Sequence, residues 1–377
     1  MTLDAAYLTA WGAHLPGRPI KNGEIEHVLG KVAGKASRTG PAALRRNRIK
    51  QRHYALDADG VPRTTAAAMA AQAVRQALAG SERTLADIDF LAAATTQNDL
   101  LAPGFASGVH AALRLPPLEI ASFQSVCASV MMALKAAVLQ VKADAKRVAA
   151  VAAAEFASRF LRAAMYDGTD LVDADGHLDP DADFLRFTLS DGAGAALVEP
   201  RRNEHGPSLR VDWISLRSFA DRFDTCMIGG GRSDEDGAVH PWSHCASPGD
   251  AARQGLFTLR QDFRLLERMI PLWVAEYMRC LDERRLRAAD VDWLLCHYSA
   301  HHFREDLVRL ARQAGCLIPE ERWFTNLYDV GNVGSASILV MIEELMRRRD
   351  PVPGQRILCI VPESGRAIVS LMHLTVC

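Results

Sequence analysis

Two distant stretches of this chain resemble each other, and that echo limits what it can fold into. "LADIDFLAAATTQ" spans residues 85–97 and "AADVDWLLCHYSA" spans residues 288–300. In each, an Asp-x-Asp lead-in precedes an aromatic residue and a short apolar run, the pattern of a strand buried on both faces. The flanks are alike too. "TTAAAMAAQAVRQAL" (64–78) reads as an alanine-rich helix ahead of the first copy. After it come a helix around "FASGVHAAL", the strand "LEIASFQSV", a helix opening at Cys127 and the strand "RVAAVAAAE". After the second copy come "REDLVRLARQAG", the helical "NVGSASILVMIEELMRR" and the strand "RILCIV". Strand–helix alternation predicts a mostly parallel sheet covered by helices. Two copies of one βαβ-type unit, joined near "EPRRNEHGPS" (199–208), predict halves at residues 1–200 and 201–377. Generic buried strands would also look alike, so the strand order is what decides. Aligning Ala128-Ser129 with Ala336-Ser337 sets Ser335 opposite Cys127.

At 377 residues the chain can bury two cores or one large one. A net charge of −1 leaves no basic field to attract nucleic acid or an anionic membrane. One dense basic run, "RRNRIKQRH" (45–53), reads either as a solvated loop or as a site for a phosphate-bearing partner. The N-terminus lacks a signal-peptide pattern, and no window reaches the ~18 to 20 apolar residues of a membrane span. The eight cysteines form no CxxC pair and no disulfide-like ladder, which fits free thiols in a reducing cytoplasm.

In open α/β sheets, sites form beyond the carboxyl ends of strands, where helix N-termini aim their amides at a ligand. Cys127, His297 and Asn332 all lie at such exits. A thiol at the first turn of a helix feels the positive end of the macrodipole, which favours thiolate. His297 offers an imidazole and Asn332 an amide donor, so the three suit acyl transfer if the seam between the halves brings them together. Buried thiols are common core filler, and Cys127 alone reads that way more readily than as a nucleophile.

The motifs, taken in order, resemble the ketoacyl-acyl-carrier-protein synthase III group of the thiolase superfamily. "SVCASVMMAL" resembles that family's nucleophile turn, "AAAEFAS" its Gly-Ala-Glu strand, and "LSDGAGAALVEP" its Gly-Asp-Gly-Ala-Gly-Ala strand. "DVDWLLCH" is similar to the strand that leads to the histidine, "GNVGSASI" to the turn with the asparagine, and "RNRIKQRHYA" to the Thr-Gly-Ile-x-x-Arg segment. The resemblance implies a five-layered α/β/α/β/α thiolase-like fold. It implies that Cys127 accepts an acyl group from CoA or acyl carrier protein. His297 and Asn332 would then hold the thioester carbonyl of a malonyl substrate as CO2 leaves, with no metal, flavin or nicotinamide cofactor. The acylation oxyanion would take the backbone N–H of Cys127 and one from a late loop. It further implies a homodimer in which "NDLLAPGF" (98–105) lies at the interface, so that Asn98, Leu101 and Phe105 help set acyl-chain length.

Departures from the family mark where those roles are open. The Gly-rich late turn is "VPESGR" here, which puts the second oxyanion N–H at Ser364 with Gly365 as the competing register. After the histidine, "HYSAHHFRED" replaces His-Gln-Ala-Asn-x-Arg, so Arg304 would face a phosphopantetheine or carrier protein in a shifted register. His297 and His301 are four apart, but Tyr298 stands where a zinc protease needs glutamate. His301 and His302 therefore read as surface or pocket-lining residues. The insert Asp167–Asp183 reads as a solvated loop, and Asp224–Asp250 as a flexible cover over the site. Its His240, His244 and Cys245 are weak zinc candidates. Decarboxylative Claisen condensation is the expected reaction. Acyl transfer to a hydroxyl or amine, and an inactive scaffold role, are the competing readings.

Overall fold

The duplication is written into the strand order. The computed structural model describes Leu3 and residues 5–377. The first half contributes β1 (Tyr7–His14), β2 (Phe90–Thr95), β3 (Glu119–Gln124), β4 (Ala149–Glu155) and β5 (Gly192–Glu199). The second contributes β6 (Leu209–Ser218), β7 (Trp293–Cys296), β8 (Trp323–Phe324), β9 (Arg356–Pro362) and β10 (Ile368–Val376). All ten pair in the order β8-β7-β9-β10-β6-β1-β5-β4-β2-β3. Counted outward from the β1–β6 seam, each half runs through its first, fifth, fourth, second and third strand. The two Asp-x-Asp stretches lead into β2 and β7, which hold equivalent places.

The sheet is mixed, which corrects the mostly parallel expectation. Only β2–β3, β2–β4, β7–β8 and β7–β9 are parallel among the described residues. The pairs from β4 through the centre to β9 are antiparallel. Alternation in sequence does not register how each half closes. Residues 363–367 alone separate β9 from β10, too short a link for a parallel crossover.

Period-two alternation along these strands sends side chains to both faces, and helices cover each face. The helices are α1 (Ala66–Ala79), α2 (Phe105–Leu113), α3 (Ser129–Lys142), α4 (Phe263–Arg284), α5 (His301–Gln313) and α6 (Ser337–Arg349). Helices α1 and α2 pack on the outer face of the first half, against Leu91, Ala93 and Ala152. Helices α4 and α5 do the same for the second half, against Leu294, Leu358 and Leu371. Between the half-sheets lie α3 and α6, touching Ala92 and Val151 on one side and Cys359 and Met372 on the other. This is a five-layered α/β/α/β/α stack. Its middle layer is tight: a Cβ on Gly194 would stand 2.6 Å from Leu339 Cβ, so alanine there would push α6 off β5.

The flanking segments depart from the sequence reading in two places. Asp167–Asp183 is not wholly a solvated loop. Asp179 caps a helix over Pro180–Arg186 by accepting from the Asp181 N–H. Asp183 is buried and accepts from the hydroxyls of Ser37 and Thr39, partners too distant in the chain for spacing to reveal. The Asp224–Asp250 cover is built of regular pieces, a hairpin of Gly231–Ser233 with Val239–Pro241 and a pair of Met227–Ile228 with Arg260–Gln261. In the basic run, Arg52 is fully buried and donates to Asn22 Oδ1 at 2.9 Å and to the Phe187 carbonyl at 3.1 Å. Arg46 and Arg48 pair at the surface with Glu267 and Glu305. No helix among the described residues is long and apolar enough to cross a membrane.

Candidate active site

Cys127 sits in the turn between β3 and α3, one residue ahead of the helix cap Ala128. It is therefore just outside the first helical turn rather than in it. The thiol is free and buried. Burial pushes its pKa well above the usual thiol range, and the Glu363 and Glu155 carboxylates push in the same direction. Desolvation and the two facing glutamates thus act against the thiolate expected from the helix end alone. Its own N–H has no acceptor beyond its own side chain among the described residues.

Asn332 comes from the other half. Its backbone is pinned by Ser190 N–H donating to its carbonyl at 2.8 Å and by its own N–H on the Thr188 carbonyl at 3.2 Å. Its side-chain Oδ1 accepts from the Gly334 N–H at 2.9 Å. That bond fixes the amide's orientation and leaves its NH2 group facing the cavity as a donor.

Cys127, Asn332 and Ser364 line one small cavity of about 30 Å³, together with Thr96, Glu155 and Gln261. Ser364 takes an ordinary negative φ; the one left-handed residue of its loop is Ala367, at φ +53°. Serine at this position is therefore no obstacle to the turn. The Ser364 N–H has no acceptor among the described residues. The Gly365 N–H likewise has no acceptor among the described residues, while its carbonyl is held by the N–H groups of Cys226 and Met227.

His297 follows β7, with its N–H on the Ile360 carbonyl at 2.9 Å. It lines a second small cavity beside the first, with Tyr298, Asn326 and Ser337. Ser299, strained at φ +54°, lines both. The His297 Nε2 is buried without a hydrogen-bond partner, and burial lowers the imidazole pKa to about 4. The ring is therefore neutral at physiological pH, with a nitrogen free to engage a ligand.

Asn98, Leu101 and Phe105 line a third cavity of about 610 Å³, roofed by Trp242 and Phe257. This chamber and the one at Cys127 share Thr96, Gln97, Val126, Met227 and Leu259, so they adjoin. The Asp224–Asp250 segment closes the chamber through Gly229, Pro241 and Trp242. Arg304 joins none of these cavities. Its guanidinium pairs with Glu320 at 2.9 Å and lies over the Trp323 ring at 4.9 Å. The register shift after the histidine thus turns it into the protein. His301 bonds Tyr328, and His302 packs edge-on against Phe184. His240 pairs with Asp234 at 3.0 Å on the hairpin.

Two site residues escaped the sequence reading. Glu155 Oε1 accepts from Thr96 N–H at 3.0 Å, Thr96 Oγ at 2.7 Å, Ser335 N–H at 3.1 Å and the Ser335 hydroxyl. Glu363 Oε2 accepts from Ser125 Oγ at 2.7 Å and from the Ala128 N–H at 3.2 Å. Each is a lone acid ending an otherwise apolar strand, "AAVAAAE" and "LCIVPE", and that was the signal available.

Comparison with known proteins agrees with this geometry. Residues 281–372 match the family described as 3-oxoacyl-[acyl-carrier-protein (ACP)] synthase III C terminal. The beta-ketoacyl-[acyl-carrier-protein] synthase III 3 of Streptomyces coelicolor is 28% identical over 359 residues, covering 94% of this chain and 92% of that protein. Among solved structures, AbyA1, a tetronic acid condensing enzyme, superposes with a TM-score of 0.76 at 21% identity, over 98% of this chain and 99% of that one. The 3-oxoacyl-(acyl carrier protein) synthase III of Pseudomonas aeruginosa gives 0.71 at 20% identity, with 98% of each chain covered. Strand order, layering and these likenesses agree: the chain has the thiolase-like fold of these enzymes and is similar over nearly its whole length to beta-ketoacyl-[acyl-carrier-protein] synthase III proteins.

Proposed function

We propose that this condensing enzyme carries an acyl group on Cys127 and joins it to a malonyl-derived carbanion. The observation that carries the reading is one cavity lined by Cys127, Asn332 and Ser364, whose N–H is unpaired among the described residues, adjoining a chamber of about 610 Å³. That chamber is of the size proteins use for small organic ligands.

In the first step, Sγ of Cys127 attacks the thioester carbonyl of an acyl-CoA or acyl carrier protein. The new C–S bond replaces the old one, and the thiol proton leaves with the departing thiolate. The oxyanion between these events takes the N–H groups of Cys127 and Ser364. The acyl chain lies in the chamber, where Asn98, Leu101 and Phe105 limit its length. In the second step a malonyl thioester loses CO2. The enolate oxygen accepts from His297 Nε2–H and the Asn332 amide, and the carbanion attacks the acyl carbon as Cys127 thiolate leaves. Neutral donors suit an enolate, and a histidine held neutral by burial donates without gaining charge.

The working unit is a homodimer. Strand β3 is an edge strand with Ile120 exposed, and Leu101 on the neighbouring loop is 91% exposed. An unpaired edge beside apolar side chains calls for a partner, and a second copy meets it edge to edge.

Intact mass after incubation with a panel of acyl-CoAs tests the first step, and CO2 release from malonyl-CoA or malonyl-carrier protein tests the second. A wild-type protein that acylates a hydroxyl or amine yet never releases CO2 overturns condensation.

A further inference from the structure

The internal duplication has placed a second carboxylate against the nucleophile. Phe90 of β2 pairs with Ala149 of β4, and Trp293 of β7 pairs with Ile357 of β9. Counting on from each partner to the same depth, Ala149 to Glu155 and Ile357 to Glu363, reaches the two glutamates. They are each other's mates, and each reaches across the seam. Glu155, from the first half, takes the N–H and hydroxyl of Ser335 at the start of α6. Glu363, from the second half, takes the Ser125 hydroxyl and the Ala128 N–H at the start of α3. Glu363 thus ties the loop with the free Ser364 N–H to the turn with Cys127. Gly365 leaves no slack there, since a Cβ on it would stand 2.7 Å from Glu363 Oε1 and 2.8 Å from Val126 Cγ2.

We propose that Glu363 is a positioning residue for the nucleophile. Its carboxylate locks the two donor-bearing loops together and puts a negative charge against the Cys127 thiol. The role given to Cys127 rests on the proposed condensing activity; the clamp itself does not. The titratable groups facing the thiol are Glu363, from the loop after β9, and Glu155, at the end of β4. Burial pushes the Glu363 carboxyl up, and its hydrogen bonds, which include the N–H groups of Val126 and Arg366, work against that rise.

Two variants separate charge from geometry. Glu363→Gln keeps an acceptor oxygen for Ser125 and Ala128 but removes the charge. Cys127 is alkylated with iodoacetamide across pH and the product read by peptide mass. In Glu363→Gln the profile should move down by about one pH unit, equivalent to roughly tenfold more thiolate at neutral pH. Glu363→Ala removes both charge and acceptor. Amide hydrogen exchange in the peptide spanning residues 125–131 should rise at least tenfold in the alanine variant and return to near wild type in the glutamine variant. An alkylation profile unmoved by Glu363→Gln overturns the charge, and unchanged exchange in Glu363→Ala overturns the clamp. Neither readout uses an acyl donor. A protein that accepts no acyl group would sink the condensing reading and leave this result standing.

Discussion

The turn before α3 and the turn before α6 hold the same place in their halves, yet one is a site and the other is a joint. Cys127 keeps its N–H without an outside acceptor and lines a cavity. Ser335 is 0% exposed and gives both N–H and hydroxyl to Glu155. Duplication supplied the same strand exit, the same helix start and even a mated carboxylate. Function follows from which donors are left unspent. In the proposed reaction the second half contributes two other residues, His297 after β7 and Asn332 ahead of the joint.

That contrast breaks first at the thiol. Cys127→Ala should abolish the acyl adduct in intact-mass measurements, because nothing else at the cavity is a nucleophile of comparable reactivity. The sharper variant adds Ser335→Cys to it. A thiol restored at the mate should remain unacylated, since Glu155 already occupies its surroundings and no cavity opens onto it. An adduct at position 335 in the double variant, or on Cys296 in the single one, would show that the halves are closer to interchangeable than their exposure implies.

The next largest effect separates the two steps. In the proposed reaction, acylation needs the thiol and two backbone donors, whereas the enolate needs His297 and Asn332. Asn332→Ala should still load acyl groups but release CO2 from malonyl-carrier protein about 10²- to 10³-fold more slowly, a loss of ~3 to 4 kcal/mol. The pH dependence of that release carries a second expectation. Burial lowers His297 to about 4, so the ring loses its extra proton well below the usual histidine range. Release of CO2 should therefore show no histidine-like break between about pH 5 and 8, and a clear inflection near ~6.5 would place His297 in a wetter, charged state.

How far the sequence carried is clearest at these same residues. The repeat was legible because Asp-x-Asp, an aromatic and a buried run survive in both copies and fall on β2 and β7. Cys127 was legible as a strand exit; Asn332 rested on the resemblance, because the short helix Leu327–Val330 stands between it and the end of β8. Ionisation of Cys127 was not, because a helix end can be read from the sequence while burial and the Glu363 and Glu155 charges need the fold. The glutamates themselves hid as ordinary polar ends of strands, since their partners across the seam are more than a hundred residues away in the chain. The surroundings of Arg304 were hidden in the same way, since Glu320 and Trp323, which hold its guanidinium, follow later in the chain.

The smallest effect falls at the joint, and it tests whether the mate is merely structural. Ser335→Ala removes the hydroxyl that donates to Glu155 Oε1 but leaves the Ser335 N–H and both Thr96 donors in place. A hydrogen bond to a buried charged group is worth about 1.5 to 3 kcal/mol, and the three remaining donors hold the carboxylate in position. Burial already raises the Glu155 pKa, so losing one donor raises it further and favours the protonated form. That relief puts the expected loss at the low end, ~1 to 2 kcal/mol, read as a lower midpoint in urea with an unchanged m-value. Acyl loading of Cys127 should stay within a few-fold of wild type, because Glu155 still faces the thiol and the α3 turn keeps its own clamp through Glu363. If Ser335→Ala instead slows loading as much as a change at the Ser125–Ala128 turn does, the two joints act as one unit across the seam, and the division into site and joint fails.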